Sequence, residues 1–171
     1  ALWPGDDVRQ AIDKQFHSAP QSTLSGRWVA TENYHITLHF IGAVSPKQRQ
    51  CMHLAAEAVE SHAFSLILDR FGHFYKARVF WMGCQSIPRP LVLLHKRLQQ
   101  SLSGCGYQAE SRVYAPHLSL MRKLVRPGNL ISPEPILWQV NDFALVENGQ
   151  YIVQDLGGYE THHQGVEHPV D

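Results

Sequence analysis

The sequence is short of charge, of cysteine and of long apolar runs. Only 18% of its 171 residues are charged, and fifteen Lys and Arg balance fifteen Asp and Glu. A chain without net basic charge lacks the footprint that coats long nucleic acid or an anionic membrane, so any nucleic-acid contact is expected to be local. The three cysteines, Cys51, Cys84 and Cys105, have no metal-ligand spacing and leave one over after any pairing. They read as reduced thiols, and no disulfide is expected. Apolar stretches such as 65–68 and 79–82 fall far short of the ~20 residues that span a bilayer, and no charged-then-apolar leader opens the chain, so a soluble, cytoplasmic protein without membrane contact is expected. Also missing are a Gly-rich phosphate loop, a G-x-S-x-G elbow and an acidic cluster of metal-ligand spacing. Their absence argues against kinases, serine hydrolases and two-metal nucleases.

What is present is enough apolar sequence for one core, 44%, and eleven histidines. Pro4-Gly5-Asp6 precedes apolar residues at helical spacing, Val8, Ala11, Ile12 and Phe16, which predicts a helix beginning near Asp6. Ser45-Pro46-Lys47-Gln48 predicts a capped helix over about 46–61, and Leu91, Leu94, Leu98 and Leu102 a second long one ending at Gly104 or Gly106. Strand patterning falls at 28–30, 34–41, 64–71, 78–83, 114–122, 137–147 and 151–156. The segments 64–71 and 78–83 are expected to pair, and Asn148-Gly149 signals a hairpin. Trp28, Trp81, Trp138 and Phe40 are expected in the core. Hairpins outnumber βαβ crossovers, which predicts an α+β domain over 1–157 with two small antiparallel sheets and flanking helices, and a polar, flexible tail over 158–171.

Two segments carry a shared device. His35-Ile36-Thr37 and His117-Leu118-Ser119 each place an imidazole and a hydroxyl two residues apart, on one face of a strand and roughly 6 to 7 Å apart, with an apolar face behind them. A hydroxyl can donate to a phosphoryl oxygen while the imidazole reaches a bridging oxygen or an attacking water. Two such pairs facing each other would clamp one phosphate, one histidine acting as acid and the other as base, with no metal or cofactor called for. Arg122, shortly after the second pair, adds a charge-assisted hydrogen-bond donor.

These residues resemble a known family. The runs 32–42, ENYHITLHFIG, and 114–122, YAPHLSLMR, are similar to the paired motifs of the 2H phosphoesterase superfamily, specifically the RNA 2′,3′-cyclic phosphodiesterases also known as 2′-5′ RNA ligases. Arg27-Trp28-Val29, the segment 78–83 and the closing stretch around Tyr151 follow the family's order. The resemblance implies a bilobal fold with pseudo-twofold symmetry, each lobe lending one motif to a central cleft. It also implies hydrolysis of an RNA terminal 2′,3′-cyclic phosphate to a 2′-phosphomonoester, with reverse 2′-5′ ligation as a further activity. Carried over, His35 would be the general acid and His117 the general base, with Thr37, Ser119 and Arg122 holding phosphate oxygens. The implied partners are RNA ends or nucleotides bearing a 2′,3′-cyclic phosphate; no membrane or obligate protein partner is expected, and a monomer is the default for an oligomeric state the sequence does not show. Ser119 departs from the commoner Thr, and the family's first strand implies residues ahead of Ala1. The alternatives are a non-catalytic RNA-end binding module, or a related 2H enzyme acting on 2′-5′ oligonucleotides or small cyclic nucleotide phosphates.

The remaining histidines divide. His39 shares a strand face with His35 and Thr37 and is a candidate for the cleft rim. A zinc site from His35 and His39 is not expected, because that spacing on a strand leaves ~13 Å between them. His53, His62 and His95 read as surface residues beside helices, His73 as a local packing residue, and His162, His163 and His168 as part of the tail.

Overall fold

The computed structural model describes residues 1–18, 24–126, 132–147 and 150–156. The fold is the mixed helix and strand architecture expected, built from antiparallel sheets and three α-helices. The expected tail, 158–171, and the hairpin signal at Asn148-Gly149 lie outside the described residues.

Helix α1 (Asp6–Ser18) starts where Pro4 and Gly5 end the preceding segment, with Asp6 and Asp7 in its first turn and His17 in its last, both complementing the helix dipole. Helix α2 (Pro46–Glu57) has the full capping box, Ser45 accepting from the Gln48 amide and Gln48 reaching back to Ser45, and Pro46 opens its first turn. Helix α3 (Arg89–Ser103) buries Leu91, Leu94, Leu98 and Leu102 on one stripe.

The strands are β1 (Ser25–Trp28), β2 (Phe64–Leu68), β3 (Arg70–Phe74), β4 (Val79–Gly83), β5 (His117–Arg126), β6 (Ile136–Val140), β7 (Asp142–Glu147) and β8 (Gln150–Asp155). A four-stranded sheet has the order β1-β5-β4-β3, while β2 pairs with β6 and β7 with β8, all antiparallel. The single strand expected over 64–71 divides at Asp69. Its first part joins β6, and only its second part pairs with β4. Asp69 makes the crossing, its amide donating to the Gly83 carbonyl and its carboxylate accepting from the Gln85 amide at 2.7 Å. Likewise 137–147 divides at Asn141, whose carbonyl accepts from Leu156.

The expected strand over 34–41 is reduced to one ladder position. Ile36 exchanges both backbone hydrogen bonds with Leu2, at 2.8 and 2.9 Å, and bridges Leu118 on its other side. Neither partner can extend the ladder. Pro4 has no N–H and leads into α1, and β5 turns to β1 from Leu120 onward, where the Val29 amide takes its carbonyl. Even so, Tyr34, Ile36 and Leu38 stay buried in the main core, which also takes in Leu2, Phe16, Phe80, Met82, Leu118 and Trp138. After a bend at Leu38 the alternation is lost, so Phe40 is 74% exposed and not a core residue. Trp28 is also corrected, at 45% exposed, and Trp81 is only partly buried; Trp138 is in the core as expected.

The expectation of three reduced thiols is overturned. Cys51 on α2 and Cys105 just beyond α3 form a disulfide, and Cys84 is the unpaired one among the three. An odd count hides the pair because only the packing of α2 against α3 brings residues 54 apart in sequence together. Met52, Leu102, Cys105 and Tyr107 form a small second cluster around it.

Candidate active site

The Ile36–Leu118 bridge sets the geometry. With these two apolar residues opposite each other in the antiparallel sense and both fully buried, their neighbours point the other way together. His35 falls across from Ser119 and Thr37 across from His117, and the two histidines occupy a diagonal of about 7 to 8 Å. The two His-x-Thr/Ser devices thus lie head to tail about a local twofold at the bridge.

Each imidazole is held in the same way. Nδ1 of His35 lies 2.8 Å from the Asn33 carbonyl oxygen, and Nδ1 of His117 lies 2.8 Å from that of Ala115, in both cases two residues upstream. A carbonyl only accepts, so each Nδ1 carries the proton and donates. Nε2 is left as the working nitrogen on both rings, a lone pair in the neutral form and a donor in the charged one.

Their surroundings differ. Trp3 stacks on His35 at 4.8 Å with 12° between the planes, while its indole N–H donates to the Glu32 carbonyl. His117 meets Phe74 edge-on at 4.8 Å and lies 6.2 Å from Trp81. Burial lowers the His35 pKa below its ordinary 6.5, and the charges of Arg122 and His117 push the same way, against the hydrogen bond to Asn33. Trp81 lies flat across Gly72, where an added Cβ would sit 2.2 Å from a ring carbon, so only glycine fits beneath it.

Arg122 reaches this face through a bulge. Trp81 pairs with Ser119 but the next residue of β4, Phe80, pairs with Met121, so Leu120 is the extra residue on β5. The alternation slips by one. Met121, which strict alternation would set beside His117 and Ser119, turns into the core, and Arg122 comes to their side.

His39 goes elsewhere. Its Nε2 donates to the His95 carbonyl at 2.8 Å, its Nδ1 takes the Tyr107 hydroxyl at 3.1 Å, and its ring stacks on His95, which stacks in turn on Tyr114. His95 is therefore corrected from a surface residue to a partly buried member of a ring stack. Burial and the charge of His39 lower its pKa to about 4.

The profile of the 2′-5′ RNA ligase superfamily matches residues 7–151. The chain belongs to this superfamily. Among its relatives, the RNA 2′,3′-cyclic phosphodiesterase of Escherichia coli (strain K12) is 34% identical over 131 residues, which are 75% of this chain and 72% of that protein. The protein of the same name from Geobacillus stearothermophilus is 34% identical over 122 residues, 68% of this chain but 38% of its own greater length. The crystal structure of E. coli LigT complexed with 3′-AMP superposes with a TM-score of 0.73 at 26% identity, covering 92% of both chains.

Within this member of the 2′-5′ RNA ligase superfamily, the backbone groups His35, Thr37, His117 and Ser119 around one bridge and adds Arg122 by a bulge, while His39 bonds to α3 and its neighbours. No group of three His, Cys, Asp or Glu that could hold a metal occurs among the described residues. Two site neighbours were not singled out as site residues: Trp3, whose stacking depends on the Leu2–Ile36 bridge, and Arg27, quoted only as part of the family's order, whose register partner on β5 is Arg122.

Proposed function

We propose that the chain hydrolyses RNA 2′,3′-cyclic phosphate ends to 2′-phosphomonoesters, using His35 and His117 as an acid–base pair. The observation that carries this reading is the Ile36–Leu118 bridge with two identically tethered imidazoles beside it. The activity after which the superfamily relatives are named supports the substrate.

In this reading Thr37, Ser119 and Arg122 hold the non-bridging oxygens. Nε2 of neutral His117 takes a proton from water as its oxygen attacks phosphorus. The bond from phosphorus to the 3′-oxygen breaks, and Nε2–H of charged His35 supplies the proton that this oxygen needs. The products are a 2′-phosphate and a 3′-hydroxyl, and solvent returns the proton from His117 to His35. A lowered pKa makes His35 a better donor, and an anionic phosphate beside it restores the charged form that donation needs. With a 5′-hydroxyl in place of water, the same geometry yields a 2′-5′ linkage. Both motifs come from one chain, so a monomer over the two lobes of residues 1–157 holds a complete site. An RNA-end substrate is the support for a cytoplasmic location in this reading.

The test is hydrolysis, in EDTA, of a short oligonucleotide ending in a 2′,3′-cyclic phosphate. His35→Ala and His117→Ala should each lose roughly 10²- to 10⁴-fold in rate. Replacing the 3′-bridging oxygen by sulfur, which leaves without a proton, should rescue His35→Ala and not His117→Ala. Rescue of His117→Ala alone would exchange the two roles. Tight binding of the cyclic end with no turnover would replace the enzyme by a binding module.

A further inference from the structure

We propose that Arg27 holds the backbone phosphate on the 5′ side of the terminal nucleotide, with Arg122 bridging it to the reacting phosphate, so that the site favours an RNA chain end over a lone nucleotide. This rests on the phosphodiesterase reading above and adds a second phosphate to it.

The register carries the inference. Arg27 on β1 is the direct cross-strand partner of Arg122 on β5, and both side chains are exposed. Like charges directly opposite in a sheet repel and destabilise the pair. The ion pairs among the described residues involve neither guanidinium. Two arginines facing each other without a carboxylate form a fork of N–H donors suited to a phosphate.

The facing is toward the site. Trp28, next to Arg27, packs on Phe16 and His17 of α1 at 4.4 and 5.0 Å, so Arg27 points to the opposite face. That face is the one onto which the β5 bulge brings Arg122, beside His117 and Ser119. Arg122 adds to the repulsion that lowers the His35 pKa, and Arg27 lies on the same edge of β5 as the His35 segment, displaced along the strand by roughly 10 Å from the Leu118 row to the Arg122 row. Arg122 therefore reaches the reacting phosphate from one side, and Arg27, further along the same edge, lies where the next phosphate of a chain would come. Gly26 permits this edge to close up, since a Cβ there would lie 2.6 Å from the Met121 sulfur and 2.9 Å from the Arg122 carbonyl oxygen. β1 is an edge strand, which leaves the fork open to an incoming strand of RNA.

The experiment compares kcat/KM for cytidine 2′,3′-cyclic phosphate and for a trinucleotide ending in the same group, measured on one preparation of each variant so that the ratio is independent of the folded fraction. The wild type should prefer the trinucleotide. Arg27→Ala should lower the trinucleotide-to-mononucleotide ratio about tenfold or more, with partial recovery in Arg27→Lys. The slope of log kcat/KM against log salt for the trinucleotide should also become shallower by about 0.7, the loss of one phosphate contact to a single strand. A ratio that stays at the wild-type value in Arg27→Ala, whether both substrates hold or fall together, overturns the inference. So does a wild type with no preference for the trinucleotide. Failure of the wild type to turn over either substrate would instead sink the phosphodiesterase reading.

Discussion

His35 and His117 are tethered alike but embedded differently, and the difference lies in single residues. Each Nδ1 donates to the carbonyl two positions upstream, so the chain supplies the same tautomer twice. Trp3 then covers one face of His35, whereas His117 meets Phe74 in a T-shaped contact and Trp81 at a tilt. Burial is the largest reason for the lowered His35 pKa, with Arg122 adding charge repulsion. Two substitutions should move it. Trp3→Ala opens the ring to water and Arg122→Gln removes a positive charge, so both should raise the His35 midpoint toward 6.5. The check is an NMR titration of the His35 ring, with His35→Gln to assign the resonance. A wild-type midpoint at or above 6.5, or one unmoved by Trp3→Ala, would remove burial as the cause. For kcat/KM the sign follows: with His35 as acid, activity is lost as pH rises through its folded pKa, so the alkaline limb should move upward in Trp3→Ala.

At the scale of elements, what the sequence showed and hid follows from how local each signal is. The helices were legible because their signals lie within a few residues: the Ser45–Gln48 box and the leucine stripe of α3. The histidine-hydroxyl alternation was legible for the same reason. The shortening of 34–41 to one ladder position was not, because it depends on Pro4 and on β5 leaving for β1. Nor was the bulge at Leu120, which requires the register of β4 and decides that Arg122 and not Met121 joins the site. The contact between 37–41 and α3 was hidden too, and it has a measurable consequence. His95 stays neutral in the folded state down to about pH 4, held by burial and by His39, while the unfolded chain takes up that proton near 6.5. Between those values the unfolded state binds more protons, so folding stability falls as pH is lowered from 6.5 toward 4. His95→Phe keeps a stacking ring without the titration and should flatten the fall in Tm between pH 7 and pH 5. An equally steep fall in that variant would assign the acid sensitivity to other groups.

At the scale of the whole molecule, the site exists because the two halves of the chain meet, and separate links hold them together. One is the run of pairings from Ala144 to Ala1, Leu2 to Ile36, and Ile36 to Leu118, which joins the β7–β8 pair to the four-stranded sheet through the histidine segment itself. The other is away from the site. α2 and α3 are tied by the Cys51–Cys105 disulfide and by the Ser101 hydroxyl donating to the Ala55 carbonyl at 2.7 Å. These two links differ in what they can do. The first aligns His35 with His117, so its loss should abolish activity, while the second closes a long loop and acts mainly by restricting the unfolded chain. Removing it should therefore cost stability more than catalysis. For a separation of 54 residues the expected loss is about 2 to 4 kcal/mol, or roughly 5 to 15 °C in Tm for a chain of this size. Cys51 is exposed, so dithiothreitol should reach the bridge in the native state and lower Tm as far as Cys51→Ser does, with kcat at 25 °C held near the wild-type value. Because Tyr107 shares the second cluster with Cys105 and holds His39, the added flexibility should appear first there, as faster amide exchange around residues 37–41. A Tm unchanged by both reduction and Cys51→Ser would mean that the α2–α3 contact is held by packing alone. A loss of kcat matching that of His35→Ala would mean that alignment of the two histidines reaches as far as the disulfide.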